Sequence, residues 1–290
     1  MSNFDDEEEK PKRRIRHPLE APQEGDEDYV SSEEESQRPK QRVVFTMGVT
    51  QPYLTYALMA INIAIFAFSL FFREAYVPFY VAAALDPLAV LRDFQVHRLI
   101  SVMFLHGDPT HIMFNMLALY SIGRRVELYY GRYRFLIVYF LGGMLGSVLS
   151  AIIGDYSIWS VGASGAIFAL WASSFWFVQQ NAKLFGENGR LILLSEGIFL
   201  IGNIFIGLDP SRNIDNLGHL GGFMGGLALA YFIVPRITFT QKIDAEGVQV
   251  ITFTDNNPLD QKHTLMILAY STGLLCLLVV GVLVFRAQSL

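Results

Sequence analysis

Val161-Gly-Ala-Ser-Gly-Ala-Ile-Phe-Ala-Leu170 is the stretch on which the reading of this chain turns. It sets one hydroxyl, Ser164, between glycines at the head of an apolar run of membrane length. A second stretch answers it. Asp215-Asn-Leu-Gly-His-Leu-Gly-Gly222 sets His219 at the head of another such run. An alcohol and an imidazole in matching positions read as a nucleophile and its base, sunk a short way into a bilayer.

The composition around them fits that setting. Of the 290 residues, 52% are apolar and 17% charged, and the mean hydropathy is +0.35. This balance points to an integral membrane protein rather than one or two soluble domains. The net charge of −5 sits in the N-terminal tail, because residues 1–42 hold 13 of the 27 acidic and 8 of the 22 basic side chains. The single cysteine, Cys276, lies in an apolar run and reads as a small packed hydrophobe with no internal disulfide partner.

Residues 1–50 are dense in charge, Pro and Ser, which predicts a disordered cytoplasmic tail. It has no apolar core of a signal peptide, and its acids argue against a mitochondrial transit peptide. A spanning helix needs about 20 apolar residues. That length places spans at about 53–72, 109–130, 133–153, 163–180, 190–207, 217–234 and 264–285. The connection 73–107 is interrupted by Pro78, Asp86-Pro87, Arg92, Asp93, His97 and Arg98, and predicts short helices in the interface. Pro109 opens the second span at a position where its missing N–H costs nothing. Between the sixth and seventh spans, Ile237–Thr240 and Val248–Thr254 are β-branched and alternating around Ala245-Glu-Gly247, which predicts a hairpin without a catalytic role. The chain thus reads as an all-α polytopic membrane protein. It divides into a tail (1–50), a six-helix core (51–235), a cytoplasmic loop (236–263) and a seventh helix (264–290).

Arg124, Arg125, Arg132, Arg134, Lys183, Arg190, Arg236, Lys242 and Lys262 fall in alternate connections on the side of the basic tail. By the positive-inside rule the N-terminus is cytoplasmic. Spans 2, 4 and 6 then run inward from the outer face. Each carries its most unusual polar residue within a turn or two of that face: His111 and Asn115, Ser164, and His219. Each has a plainer explanation by itself. Serine between glycines is common where helices pack closely, a histidine near a helix end snorkels, and an i, i+4 polar pair glues helices. Coincidence at one depth favours a shared internal cavity, since ionisable groups in spans rarely face lipid.

The chemistry of such a cavity is acyl transfer. A neutral imidazole takes the proton of a serine and returns it to the leaving amine. An Asn amide, a second imidazole and a backbone N–H at a helix start are the donors that a tetrahedral intermediate requires. No carboxylate at matching depth is required to orient His219, with Asp215 a candidate by proximity alone. Gly162-Ala-Ser164-Gly165 has no preceding strand, which argues against the strand-to-helix nucleophile elbow of soluble hydrolases. His106, His111 and His219 share no ligand-like spacing with a Cys or carboxylate, so no metal or other cofactor is expected.

These residues resemble the rhomboid family of intramembrane serine proteases over about residues 53–235. His97-Arg98 with Phe104-Leu-His106-Gly is similar to the family's Trp-Arg…Leu-His segment, with His in place of Trp. His111-Ile-Met-Phe-Asn115 resembles its His-x-x-x-Asn motif, and Gly123-Arg-Arg-Val-Glu127…Gly131-Arg-Tyr-Arg-Phe135 its inner turn. Gly162-Ala-Ser-Gly165 resembles its nucleophile motif, and His219-Leu-Gly-Gly222…Gly226 its histidine helix. The resemblance implies Ser164 as nucleophile, His219 as base, and His111, Asn115 and the Ser164 N–H as oxyanion donors. It implies a ring at Phe168 beneath the imidazole, where many members have Tyr, and structural roles for Arg98 and Glu127. The implied partners are transmembrane protein substrates and the lipid bilayer, with no nucleic acid; the span at 190–207 and the outer loops would gate access. A bacterial cytoplasmic membrane is the first expectation for location and a eukaryotic secretory membrane the second. Two rivals stand beside this reading. One is a catalytically inactive relative that binds membrane clients, disfavoured because both dyad members are present. The other is a transporter, disfavoured because the polar groups gather at one face and no inverted repeat is visible.

Overall fold

The computed structural model describes residues 41–45, 51–207, 214–243, 245 and 248–288. The expected disordered tail, 1–50, lies outside the described residues except at Gln41–Phe45, which form a strand instead.

Strand β1 (Gln41–Phe45) precedes α1 (Tyr53–Phe71). The interrupted connection forms α2 (Arg73–Ala83), α3 (Pro87–Asp93), α4 (Arg98–Ser101) and a 3-10 turn, Val102–Phe104. These are the short helices its broken hydropathy predicts. Asp86 caps α3 by accepting from the Leu88 and Ala89 N–H groups, and Pro87 fills the first helical position. Arg98 is 5% exposed. Its guanidinium donates to the carbonyls of Val81 and Ala84 at 2.7 and 2.6 Å, so one side chain ties the connection together.

Helix α5 (Pro109–Ala118) runs through a π turn, Leu119–Gly123, into α6 (Arg124–Ile137). A second π turn, Val138–Gly142, leads into α7 (Gly143–Ile153). The helical path reverses inside α6 at Gly131, whose φ of 77° lies in the region glycine tolerates without strain. That break falls between the spans expected at 109–130 and 133–153. Glu127, fully buried just before it, accepts from Leu54 N, Thr55 N and Thr55 Oγ1 at 3.0, 2.7 and 2.8 Å. A carboxylate thus satisfies the first orphan donors of α1 and complements its positive end.

The remaining helices are α8 (Ser164–Gln180), α9 (Ala182–Gly207), α10 (Asn216–Ile233) and α11 (Gln261–Gln288). By length and composition alone, three helical stretches among the described residues suffice to cross a membrane: Tyr53–Phe71, Pro109–Ile153 and Gln261–Gln288. The helices that carry Ser164 and His219 are shorter and richer in small residues. α8 is mostly buried by protein, whereas α10 packs its glycine face on α7 and α8 and leaves Leu220, Met224 and Tyr231 exposed on the other. At 1.5 Å per residue, a 17-residue α8 is about 25 Å long, less than the ~30 Å hydrocarbon core.

Glycine makes this packing close. A Cβ on Gly222 would overlap the Gly165 carbonyl, one on Gly226 that of Ala169, and one on Gly146 that of Gly218. α10 therefore lies backbone to backbone against both α8 and α7.

The predicted hairpin is present as β2 (Ile237–Ile243) and β3 (Gln249–Asp255), antiparallel with Ile237 opposite Asp255. A third strand joins it. β1, read from sequence as part of the tail, pairs parallel to β3 with Gln41 opposite Gln249, giving the order β1-β3-β2. β3 is therefore the central strand, with β1 on one edge and β2 on the other. Because β1 leads into α1, β2 leaves α10 and β3 leads into α11, those three helix ends lie on one side. Arg134 anchors the sheet to the inner turn, 2.9 Å from the Asp255 carboxylate and donating to the Asn257 carbonyl.

Candidate active site

The site forms where α5, α8 and α10 begin. Asp108 caps α5 by accepting from His111 N at 2.9 Å, which fixes the first turn and presents His111 and Asn115 one turn apart on one face. Gly162 precedes α8 with a φ of 130°. A Cβ there would lie 2.7 Å from His111 Nε2 and 3.6 Å from Ser164 Oγ. The bare glycine lets an imidazole and a hydroxyl come to the same small space. Asp215 caps α10, accepting from Gly218 N at 2.7 Å, and its other oxygen accepts from Ser150 Oγ of α7 at 2.6 Å.

Ser164 Oγ and His219 Nε2 are 2.8 Å apart. The His219 ring stacks on Phe168 with centroids 4.4 Å apart and planes 12° from parallel. Phe168 lies one turn below Ser164, so a single helix carries both the hydroxyl and the platform that aligns the imidazole. Aromatic contacts continue outward: Phe168 meets Trp171 edge-on at 5.4 Å, and Trp171 meets Phe199 of α9 at 4.6 Å. Asn115 is buried and donates one amide proton to the His111 carbonyl at 3.0 Å; the amide has a second proton to give. Ser164, His219 and His111 thus meet around Gly162, and Asn115 follows His111 one turn along α5. Among the described residues no carboxylate hydrogen-bonds the His219 ring, since both Asp215 oxygens are engaged elsewhere. The arrangement is a hydroxyl and an imidazole in hydrogen-bond contact, with the His111 imidazole beside Gly162 next to them.

A family profile described as Rhomboid domain matches residues 93–236, which holds all of these groups. The chain belongs to the rhomboid family.

The rhomboid chain is 34% identical over 198 residues to Rhomboid protease GluP of Bacillus subtilis (strain 168), an alignment covering 68% of this chain and 38% of that protein. It is 35% identical over 153 residues to RHOMBOID-like protein 2 of Arabidopsis thaliana, covering 53% and 47%. It is 34% identical over 146 residues to Rhomboid-like protease 3 of Toxoplasma gondii, covering 48% and 52%. The alignments thus span about two fifths to one half of these relatives' own lengths. Family and apolar helices together make this an integral membrane protein.

Three features of the rhomboid site were not legible from motifs. His106 is 3% exposed and lies against His111, ring centroids 5.1 Å apart and 67° between planes. The Ser150–Asp215 contact joins helices 65 residues apart in sequence. Glu196 is buried on α9 between Ser174 Oγ at 2.9 Å and Arg125 at 3.1 Å. Packing of distant helices creates the Ser150–Asp215 and Glu196 contacts; His106 and His111 are neighbours in sequence, and the motif spacing around them was the available signal.

Proposed function

We propose that this rhomboid chain is an intramembrane serine endopeptidase that cuts transmembrane segments of other membrane proteins with a Ser164–His219 dyad. The observation that carries the proposal is the 2.8 Å approach of Ser164 Oγ to His219 Nε2 at submerged helix starts.

His219 Nε2 accepts the Ser164 proton as Oγ attacks the scissile carbonyl. The carbonyl oxygen becomes an oxyanion, met by donors from His111 Nε2, the free Asn115 amide proton and the Ser164 N–H at the positive end of α8. The imidazolium then protonates the leaving nitrogen, the C–N bond breaks, and the acyl group stays on Ser164. A water, deprotonated by the same imidazole, attacks the ester and restores the hydroxyl. Phe168 keeps the ring in plane through both halves. A helical substrate hides its peptide bonds, so the segment must unwind near the cut, which Gly, Pro or polar residues favour.

Access is assigned to the side of α9. Its exposed Leu191, Leu194, Ile198 and Ile201 face away from the bundle, and a Cβ on Gly197 or Gly202 would meet nothing within 4 Å. Basic residues of the inner turns, on the same side as the three-stranded sheet, support a cytoplasmic N-terminus. A bacterial cytoplasmic membrane is the proposed location, with the tail (1–50), six-helix core (51–235), loop (236–263) and seventh helix (264–290) as its parts.

The test is to react the detergent-solubilised protein with a fluorophosphonate probe and to follow cleavage of a transmembrane test substrate. Wild type should label and cleave; Ser164→Ala and His219→Ala should each lose at least about a thousandfold in rate. Undiminished cleavage by Ser164→Ala rules the proposal out. Stable binding of membrane proteins with no labelling of wild type would instead favour an inactive client-binding relative.

A further inference from the structure

Away from the site, the outer surface between α1 and α5 carries a groove of about 400 Å³. Met59 and the buried Ile112 and Met116 form its floor, and the exposed Ile63 and Leu117 stand at its rim. Tyr120 of the first π turn closes one end. From Ile112 to Tyr120 the groove runs about 12 Å at 1.5 Å per residue. That is close to one leaflet's share of the ~30 Å hydrocarbon core.

The lining decides what fits. Where helices of this chain meet closely, small residues let the backbones touch, as Gly222 and Gly226 do on α8. The groove is lined by Met, Ile, Leu and aromatic side chains, with no Gly, Ala, Ser or Thr among them. It therefore gives a second helix no close approach. A thin hydrocarbon chain can enter between protruding side chains, and methionines adapt their shape to it.

One end of the groove supplies a charge. Arg124 lies one turn beyond Tyr120, its guanidinium 4.5 Å from the ring centroid. Tyr56 of α1 lies beside the same ring at 6.5 Å. In the same inner turn, Arg125 is paired with Glu196 and Arg134 with Asp255. Among the described residues Arg124 has no such carboxylate, and its Nε is shielded from water without a hydrogen-bond partner. A shielded donor lacking an acceptor is a cost that a bound anion offsets. The planar guanidinium matches a phosphate better than an ammonium does. Two tyrosines set this end at headgroup depth, where such rings gather.

We propose that the groove binds one acidic phospholipid of the leaflet on the side of the three-stranded sheet, an acyl chain lying over Ile112 and Met116 and the phosphate on Arg124. The cation at the end of an apolar slot selects an anion that carries a chain. The site needs neither Ser164 nor His219, yet the lipid lies against α5, the helix that presents His111 and Asn115.

The experiment takes the full chain in neutral detergent, stripped of lipid. It is titrated with phosphatidylglycerol, phosphatidylcholine or inorganic phosphate, with adducts counted by native mass spectrometry and the thermal midpoint followed in parallel. Phosphatidylglycerol binds about fivefold more tightly than phosphatidylcholine, as one arginine near a charged headgroup provides, and raises the midpoint; inorganic phosphate does neither. Arg124→Gln brings the ratio of the two lipids to about one and leaves the lipid-free midpoint near wild type. Leu117→Trp, a change at the exposed rim, fills the slot and weakens both lipids. Equal affinities in wild type, or an unchanged ratio in Arg124→Gln, overturn the inference. So does a disulfide-linked dimer formed through Leu117→Cys in a Cys276→Ser background, which would seat a second copy in the groove. If Arg124→Gln fails to accumulate, Arg124→Met is read in the same way. Proteolysis is judged separately: retained cleavage in Ser164→Ala removes the protease, whereas a Ser164-dependent enzyme without lipid preference removes only this site.

Discussion

At the scale of single residues, the site is a set of polar groups whose exposure to water has been replaced by one another. Ser164 and His219 satisfy each other, Asn115 satisfies a carbonyl of its own helix, and Asp215 is occupied by Gly218 and Ser150. His106 is the departure, and it carries a pH signature. A base whose folded value lies below its unfolded one is neutral when folded and protonates when unfolded. Its contribution is complete above the unfolded value of about 6.5 and declines as the pH falls from there toward about 3. Wild type should therefore lose thermal midpoint between pH 7 and pH 5, and His106→Phe should lose measurably less, as followed by thermal inactivation of probe labelling at each pH. Equal losses would mean that the imidazole is solvated in the folded protein.

At the scale of elements, glycine spacing decides how the serine and histidine helices meet. Gly222 and Gly226 are four apart on one face of α10, and each abuts a carbonyl of α8. A methyl group at either forces the helices apart. Gly222→Ala is expected to cost about 1–3 kcal/mol through overpacking. The larger effect falls on geometry, since a shift of about 1 Å between dyad atoms costs about a hundredfold in rate. Comparing probe-labelling rate with thermal midpoint separates the two. Ala at Gly202, where open space surrounds the Cβ, is the control and should leave both near wild type. The motif announces these glycines, and the close packing gives their reason. In α9 the helix that holds the expected span at 190–207 follows a short helical turn from Ala182, and the two are separated by a non-helical break at Gly186 with φ 51°.

At the scale of the whole molecule, the surprise is the sheet. Hydropathy divided the chain into a tail, a bundle and a loop, and no periodicity linked the first to the last. The structure joins them, because β1 adds to the open edge of β3 and Arg134 of the inner turn holds Asp255 and Asn257. Arg134 and Asp255 are both largely shielded from solvent, so removing the cation leaves the carboxylate poorly compensated. Arg134→Ala should loosen the sheet without touching the dyad. Limited proteolysis within 236–260 should quicken about tenfold or more, while probe labelling of Ser164 stays within about twofold. Loss of labelling in step with proteolysis would show instead that the sheet supports the bundle globally.

The helices, their turns and the meeting of Ser164 with His219 were legible in the chain because each rests on local chemistry. Apolar length marks a helix that can cross lipid, a proline or glycine marks where it starts or reverses, and a hydroxyl or imidazole in an apolar run is too costly to be incidental. Contacts between segments far apart in sequence were not legible. The third strand, the Ser150–Asp215 bond and the Glu196–Arg125 pair depend on which segments the bundle brings together. Hydropathy says how deep a residue lies but not toward which neighbour it points, and only packing of the whole bundle resolves that direction.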